Sequence, residues 1–427
     1  MTAAPAPFTV EVDQNPYLAA GATRVDAIVT VTSSESAPAA ADGLEIIIVD
    51  CSTSMTGDKI HSARRATAAA IAQVRDGVSF VVIAGTETAK QLYPPTGTAV
   101  ADARTRAGAT AAVNGLRANG GTGIGSWLTL AGSIADRHPG AIKHAILLTD
   151  GQNGERSHYF EAALAGVQGR FTCDCRGVGT DWRVEELRAI AAALLGSVDI
   201  VADPAELAAD FEAVMEAAMG KSMAGVALRL WTPRGSTLRF VKQVAPTVED
   251  LTGRRVDTGP LRGDYPLGSW GAEVREYHLE VEVAAGAVGE EMLAARVSLV
   301  RSGADDVLGQ GLVKATWTDD TALSTGISRG VAHYTGQAEL AEAIQEGLAA
   351  RKAGDTATAT ARLGRAVALA AESGNEGTAR LLERVVEVLD APSGTVRLRA
   401  AVSDADEMTL DTRSTKTVRV RGTEEAS

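Results

Sequence analysis

The chain has 427 residues and a formal net charge of −13, and 45% of its residues are hydrophobic. The length predicts about three domains, and the negative charge argues against a nucleic-acid-binding or anionic-membrane-binding protein. The sequence has no apolar run long enough for a transmembrane helix, and its first residues lack the basic and apolar regions of a signal peptide, so we expect neither a membrane span nor secretion.

Two segments near the N-terminus, residues 8–12 and 24–32, alternate apolar and polar residues as strands do. Two strands are too few to be stable alone. Residues 222–318 contain further segments with the same period, separated by Pro and Gly clusters, as in an antiparallel sandwich. We therefore predict that residues 1–42 and 222–318 form one β-sandwich, into which the intervening residues 43–221 are inserted.

The most informative segment follows the first strands, where an apolar run precedes three oxygen-bearing side chains. Residues 44–49 suit a central parallel strand that is covered on both faces. Asp50, Ser52 and Ser54 then alternate, and residues 57–74 have helical apolar spacing. Open α/β sheets bind ligands at the carboxyl ends of their strands, and Mg²⁺ prefers oxygen ligands. This segment therefore predicts a cation site at the edge of a sheet.

Two later segments of the chain add further oxygen-bearing side chains that could bind a cation. Thr122 stands in a glycine-rich stretch before a predicted helix over residues 124–136, and Asp150 follows a second apolar strand, residues 145–149. The glycine-rich stretch superficially resembles a phosphate-binding loop, but it lacks the lysine and the spacing of one. ATP binding is therefore not predicted.

Together these residues resemble the von Willebrand factor A (VWA) family and its metal-ion-dependent adhesion site. The family's Asp-x-Ser-x-Ser motif is matched by Asp50, Ser52 and Ser54, its threonine by Thr122 and its second aspartate by Asp150. Strands that alternate with helices through residues 43–221 also predict an α/β fold with a doubly wound parallel sheet.

The resemblance implies a divalent cation held by these five residues, Mg²⁺ with Mn²⁺ or Ca²⁺ as alternatives. It also implies an open coordination position for a carboxylate of a partner protein. The residues expected to line the rim and contact that partner are Met55, Gly121, Gly123 and Gly151. The competing interpretation is a purely structural site that stabilises this end of the sheet.

Cysteine usage bears on the compartment. Cys51, Cys173 and Cys175 are too few, and odd in number, for a disulfide scaffold, which favours a reducing cytoplasm. Cys173 and Cys175 would share one face of a strand, and buried thiols are a better interpretation than zinc ligands because no histidine has matching spacing. Abundant Ala and Gly are typical of proteins from high-GC bacterial genomes, so we expect a cytoplasmic bacterial protein.

The C-terminal third of the chain changes character again. Residues 325–391 have helical periodicity and are predicted to form a small helical cap; tetratricopeptide hairpins are an alternative, but their repeat is not visible. Residues 392–427 lose a clear apolar pattern and are predicted to be a flexible tail rich in Thr and Arg. Four tail threonines are expected to be exposed and are candidate phosphorylation sites for a forkhead-associated reader domain: Thr409, Thr412, Thr415 and Thr417.

The resemblance thus implies a non-enzymatic, Mg²⁺-dependent protein-interaction module that binds an acidic residue of a partner, and it suggests a Ser/Thr kinase and forkhead-associated signalling system as one candidate setting. The alternative is an accessory subunit of an AAA+ ATPase assembly of the MoxR or chelatase type. An enzyme that uses the metal as a Lewis acid would need a general base near Asp50. The sequence offers no candidate, so no catalytic residue is assigned.

Overall fold

The computed structural model describes residues 8–34 and 42–419. These residues divide into two compact units. The α/β unit comprises residues 42–224 and 268–271, and the sandwich–helix unit comprises residues 8–34, 225–267 and 272–419. The chain begins in the second unit, builds the first and returns, which confirms the predicted fold class of a doubly wound domain inserted in a sandwich and followed by helices.

The first described residues form three strands of the sandwich–helix unit, β1 (Phe8–Gln14), β2 (Tyr17–Ala19) and β3 (Arg24–Ser33). β1 and β3 pair antiparallel, from Phe8 opposite Ser33 to Gln14 opposite Ala27. Val25, Ala27, Val29 and Val31 are buried along β3, which explains the period-two pattern in the sequence.

The α/β unit is built around a seven-stranded sheet. Its elements in chain order are β4 (Leu44–Asp50), α1 (Asp58–Gln73), β5 (Ser79–Gly85), β6 (Ala89–Tyr93), β7 (Ala99–Val100), α2 (Ala103–Asn114), α3 (Ile124–Arg137), β8 (Lys143–Thr149), α4 (Ser157–Val167), β9 (Thr172–Val178), α5 (Val184–Ala193), β10 (Val198–Val201) and α6 (Leu207–Met219). The strand order is β10-β9-β8-β4-β5-β6, with β7 also paired to β5. The neighbours from β10 to β5 run parallel, whereas β6 and β7 are antiparallel to β5.

The central position of β4 explains its unbroken apolar run, because each of its residues is buried. Three alanines of α1 pack against Ile47 and Val49 in one core cluster: Ala63, Ala66 and Ala70. Sequence analysis missed β6, β7 and α4. The first two are short antiparallel strands, and α4 buries only Phe160, Leu164 and Val167, a narrow stripe with no capping side chain.

The returning chain completes two sheets with β11 (Met223–Trp231), β12 (Thr237–Ala245), β13 (Glu249–Asp250), β14 (Val256–Gly259), β15 (Arg262–Trp270), β16 (Glu273–Glu282), β17 (Glu291–Arg301) and β18 (Val307–Thr318). One sheet has the order β1-β3-β16-β12-β13 and the other β14-β15-β11-β17-β18-β2. The N-terminal strands therefore join both sheets, as the shortage of partners near the N-terminus predicted. Only the short pairing of β2 with β18 is parallel among the strand pairs described for this unit.

The helical region contains α7 (Thr321–Ser324), α8 (Arg329–Lys352), α9 (Thr356–Ser373) and α10 (Glu376–Val385). Leu340 and Ile344 of α8 pack with Leu363 and Val367 of α9. The predicted helical cap, residues 325–391, extends too far, because its last residues form β19 (Val386–Asp390), which pairs with β20 (Thr395–Leu398). Among the described residues, no helix combines the length and the apolarity that crossing a bilayer requires.

The prediction of a flexible tail from residue 392 is wrong for its described part. A helix, α11 (Asp404–Arg413), follows β20 and buries Leu410 completely. After it, Thr415 O accepts from Val248 N at 2.7 Å and the Thr417 side chain donates to Val244 O at 2.6 Å. Backbone hydrogen bonds and one leucine hold this segment, so it lacks the apolar periodicity that sequence analysis uses. Residues 420–427 lie outside the described residues.

The expected exposure of the tail threonines is also wrong. Thr409 and Thr412 are buried, and Thr415 and Thr417 are half-buried. Thr409 Oγ1 donates to Ala405 O at 2.6 Å, within α11. Phosphorylation of these side chains stays a prediction, but burial now opposes it at the first two positions.

Candidate metal centre

Three segments of the α/β unit meet at the carboxyl edge of its parallel sheet. β4 and β8 are neighbours, and their register pairs Val49 with Leu148. Asp50 at the end of β4 and Asp150 just after β8 are therefore brought to the same edge, as parallel strands require. The third segment is the glycine-rich loop before α3, which carries Thr122.

Asp50 is held at the base of this edge. Its Oδ1 accepts from the Ser52 backbone N–H at 2.7 Å, and its Oδ2 accepts from Thr149 Oγ1 at 2.6 Å. The side chain is buried, and burial raises the pKa of Asp50, with the negative charge of Asp150 adding to the effect. A cation that favours the ionised form would therefore stabilise this carboxylate.

The two motif serines connect to Asp150 through a chain of hydroxyl groups. Ser54 Oγ donates to Asp150 Oδ1 at 2.6 Å, and Ser52 Oγ lies 2.9 Å from Ser54 Oγ. Because the single Ser54 hydroxyl proton goes to Asp150, Ser52 is the donor in the second contact. Lone pairs on both hydroxyl oxygens remain available to a cation.

Thr122 is brought to the same place by the loop before α3. A methyl group in place of the Gly151 hydrogen would lie 3.3 Å from Ser54 Oγ and 3.3 Å from Thr122 Oγ1, so both hydroxyls border Gly151. The Thr122 carbonyl accepts from Gly154 N at 2.7 Å, which ties this loop to the one that follows β8. The five predicted side chains thus converge from three separate segments.

Backbone contacts keep the loops in register. Thr53 donates to Gly120 O through both its backbone N, at 2.8 Å, and its Oγ1, at 2.9 Å. Gly120 has a φ of 81°, a left-handed conformation that favours glycine. Glu155 accepts from the backbone N–H groups of Gly125 and Ser126 at the start of α3, which places a negative charge at the positive end of the helix dipole.

Sequence analysis missed two side chains that contact the carboxylates directly. One is Thr149, described above; the other is Lys59, whose Nζ donates to Asp150 Oδ2 at 2.6 Å and to Asp181 Oδ2 at 3.2 Å. Burial lowers the pKa of Lys59, but these two hydrogen bonds outweigh burial and raise it overall. Two features of the sequence could have indicated them: Thr149 directly precedes Asp150, and Lys59 is in the first turn of the helix that follows the Asp50, Ser52 and Ser54 motif.

The residues predicted to line the rim of the site are less exposed than expected. Met55 is fully buried in the core cluster, and Gly123 and Gly151 are also buried, so only Gly121 of the four predicted rim residues is partly exposed. Met55 turns inward because the short 3₁₀ turn Thr53–Met55 directs it toward α1 and β4. The side chains that are exposed around the site instead include Thr53, Ser54, Glu87, Gln152 and Asp181.

The donor set fits a hard divalent cation. It consists of two carboxylates and three hydroxyl groups, all oxygen donors, and the charges of Asp50 and Asp150 are only partly offset by Lys59. Within residues 8–34 and 42–419 no group of three or more His, Cys, Asp and Glu side chains is arranged for a metal. The proposed centre contains only two such side chains, Asp50 and Asp150, because its other three oxygen donors are hydroxyl groups.

The cysteines do not contribute ligands here. Cys51 is buried with its Sγ directed toward Val49 O, and burial beside Asp50 raises the pKa of its thiol to about 12. Cys173 and Cys175 are free, buried thiols whose sulfurs lie 4.0 Å apart. The interpretation as buried thiols therefore agrees with their surroundings.

A doubly wound α/β domain with hydroxyl and carboxylate groups at the carboxyl edge of its sheet defines a VWA-type protein. Residues 45–200 match the von Willebrand factor type A domain, and residues 368–414 match the von Willebrand factor type A C-terminal domain. A von Willebrand factor type A structure from Catenulispora acidiphila is 52% identical, with 98% of this chain and 99% of that chain covered and a TM-score of 0.93. The chain belongs to the von Willebrand factor type A family.

Two other comparisons extend this result. An uncharacterized protein, sll0103, from Synechocystis sp. is 27% identical over 212 residues, which is 48% of this chain and 49% of the relative. The match thus spans about half the length of that curated relative. The ArnB paralog VWA2 from Sulfolobus acidocaldarius has a TM-score of 0.59 at 14% identity, with 96% of this chain and 100% of that chain covered, and shares the fold.

Family membership carries two general properties. VWA domains are general protein-interaction modules, and they commonly bind a divalent metal at the metal-ion-dependent adhesion site. The C-terminal match at 368–414 spans α10, the β19–β20 hairpin and α11, so residues 392–414 of the predicted tail belong to a recognised domain.

Proposed function

We propose that this protein is a non-enzymatic interaction module in which a divalent cation at the carboxyl edge of the α/β sheet binds an acidic residue of a partner protein. The observation that carries the proposal is the convergence of the five oxygen-bearing side chains from three segments. Ser54 is exposed and Thr122 is half-buried, so the site faces solvent on the side where a partner would approach. Mg²⁺ is the proposed ion, with Mn²⁺ and Ca²⁺ as alternatives.

The five side chains would have different roles at the cation, depending on their position. Ser52, Ser54 and Thr122 would hold the cation through hydroxyl oxygens, and Asp50 and Asp150 would supply negative charge from the buried side. The bound cation would supply a coordination position for the partner carboxylate. Thr149 holds Asp50 in place, and the Gly120–Thr53 contacts hold the loop that carries Thr122.

The buried position of the tail threonines affects the choice of partner. A forkhead-associated domain could reach Thr409 or Thr412 only if α11 opened, since both side chains are buried in the folded protein. We therefore base the proposal on the metal site. A forkhead-associated signalling partner and an AAA+ ATPase are the two partner classes that the experiment below distinguishes, and a cytoplasmic location is part of the same proposal.

Metal dependence is tested first on the protein alone. Mg²⁺ at about 100 times its Kd is expected to stabilise the wild-type fold by about 2.7 kcal/mol, measured as a rise in the unfolding temperature. Asp50→Ala is expected to lose this rise and remain folded. Asp136→Ala removes an exposed aspartate that pairs with Arg170 and serves as the matched control, which should respond like the wild type.

Partner binding is then tested by affinity purification from native cytosol with Mg²⁺, using wild type, Asp50→Ala and wild type with EDTA. A partner retained only by the intact, metal-loaded protein is the expected result. Retention of a protein with a forkhead-associated domain would select the signalling system, whereas copurification of an ATPase whose turnover rises in the presence of the protein would select the ATPase assembly. Identical partner sets in the three samples would contradict the proposal and favour a structural role for the site.

A further inference from the structure

Lys59 places a positive charge directly against one carboxylate of the metal centre. Its Nζ lies 2.6 Å from Asp150 Oδ2 and 3.2 Å from Asp181 Oδ2. The Asp150 side chain is fully buried, whereas 70% of the Asp181 side chain is exposed. The contact with Asp150 is therefore the stronger one, because solvent screens the contact with Asp181.

The position of Lys59 in the helix is also unusual. It is the second residue of α1, in the first turn, where the helix dipole disfavours a cation and Gly57 offers no capping side chain. A lysine at this position gains no stability from the helix itself. Its side chain instead reaches across to the residue that follows β8.

The formal charges indicate what this ammonium group would do to a bound cation. Asp50 and Asp150 together carry two negative charges, which a divalent cation would cancel, leaving a neutral site with little attraction for an anion. Lys59 adds one positive charge beside them, and Asp181 offsets that charge only weakly because it faces solvent. The loaded site would thus carry a net positive charge at its inner side.

We propose that Lys59 is a specificity-determining residue: it keeps the loaded site cationic, which weakens binding of the divalent cation and strengthens binding of the partner's carboxylate. This inference rests on the proposed function, because both require a cation at Asp50 and Asp150. It adds a trade-off between the two ligands that the five motif residues alone do not create.

The test compares the wild-type chain with Lys59→Met, using Mn²⁺ alone and then acetate as a probe of carboxylate binding. Free Mn²⁺ is measured by electron paramagnetic resonance, and acetate is titrated into the Mn²⁺-loaded protein while water proton relaxation is followed. Lys59→Met is expected to bind Mn²⁺ on the order of tenfold more tightly and acetate several-fold more weakly. Lys59→Arg keeps the charge and should stay close to the wild type in both measurements.

Three further variants control for charge and folding. Lys143 is at the start of β8, at the opposite end of the sheet from Asp150, and donates to Ala135 O; Lys143→Met should change neither affinity. Asp181→Asn removes the competing exposed carboxylate and should act in the direction opposite to Lys59→Met, with weaker Mn²⁺ and stronger acetate binding. Lys59→Gln removes the charge but keeps a hydrogen-bond donor toward Asp150, so it should reproduce both shifts of Lys59→Met and decides the question if Lys59→Met does not fold.

The outcomes separate this inference from the proposed function. If Mn²⁺ binding depends on Asp50 but Lys59→Met and Asp181→Asn leave both affinities unchanged, the role of Lys59 is overturned and the proposed function stands. If the wild type shows no Mn²⁺ binding that depends on Asp50, both are overturned. Opposite shifts in the two variants, for both ligands, are the expected result.

Discussion

The two ends of strand β4 carry buried carboxylates in very different surroundings. At the start of the strand, Glu45 Oε1 lies 2.7 Å from His144 Nδ1, and Asp174 Oδ2 lies 2.9 Å from His144 Nε2. At the end of the strand, Asp50 is surrounded by hydroxyl groups and Asp150. At the start of the strand the acidic side chains come from β4 and β9, on either side of β8, and at its end they come from β4 and the residue after β8.

The difference is in how the negative charge is balanced. Burial lowers the pKa of His144, but Glu45 and Asp174 outweigh it and raise that pKa to about 10, so the imidazolium ion stays charged between them. At the other end, hydroxyl dipoles and one lysine leave part of the charge uncompensated. Each cluster has two carboxylates and one cationic side chain, but His144 contacts both carboxylates of its cluster, whereas Lys59 contacts only Asp150. Asp50 has only neutral hydrogen-bond donors and lies beside hydroxyl groups, so this end of the strand can accept an external cation.

The largest effect is expected from removing the cation of the structural cluster. His144→Ala leaves Glu45 and Asp174 without their shared partner, and breaking a buried ion pair costs about 3–5 kcal/mol. Urea unfolding should show this loss. His61→Ala, at an exposed position of α1, should cost little. An unfolding free energy for His144→Ala equal to that of the wild type would show that this cluster does not hold the sheet together.

The pH dependence of stability sharpens the same comparison. The folded pKa of His144 is about 10, and its unfolded value is about 6.5, so the folded state holds the proton more tightly. The stabilisation is complete below the unfolded pKa and is lost as the pH rises toward the folded pKa, by at most about 1.4 kcal/mol per pH unit. Urea unfolding from about pH 6.5 to 9.5 should show this slope in the wild type and a flatter one in His144→Gln. Equal slopes would contradict the assignment.

A smaller effect is expected at the metal end. Thr149→Val keeps the shape of the side chain and removes the hydroxyl that donates to Asp50 at 2.6 Å. Loss of a hydrogen bond that orients a metal-binding carboxylate should weaken Mn²⁺ binding about tenfold, measured by electron paramagnetic resonance. Thr67→Val is the matched control, since Thr67 is equally buried but donates to Ala63 O within α1. If both variants bind Mn²⁺ like the wild type, Thr149 does not support the site.

Sequence analysis was most successful where the pattern is local. The apolar run of β4, the alternation of strands and helices and the spacing of the motif residues each reflect a regular element and its neighbours. The N-terminal strands could be assigned to the returning sandwich because two strands cannot bury enough surface alone. The tail was misjudged because α11 is held by Leu410 and the residues after it, Thr415 and Thr417, by backbone contacts with residues 246–248, neither of which leaves a periodic signal.

The sequence by itself determined that the chain has a doubly wound domain within a sandwich, and which five oxygen-bearing side chains were candidates for one cation site. Only the tertiary structure decided that Lys59 and Thr149 reach the two carboxylates, that Met55 turns into the core and that the tail threonines are buried. Those features depend on contacts between residues far apart in the chain, such as Lys59 with Asp150 and Thr149 with Asp50. Periodicity and spacing describe neighbours along the chain, whereas these contacts exist only after the strands have been placed side by side.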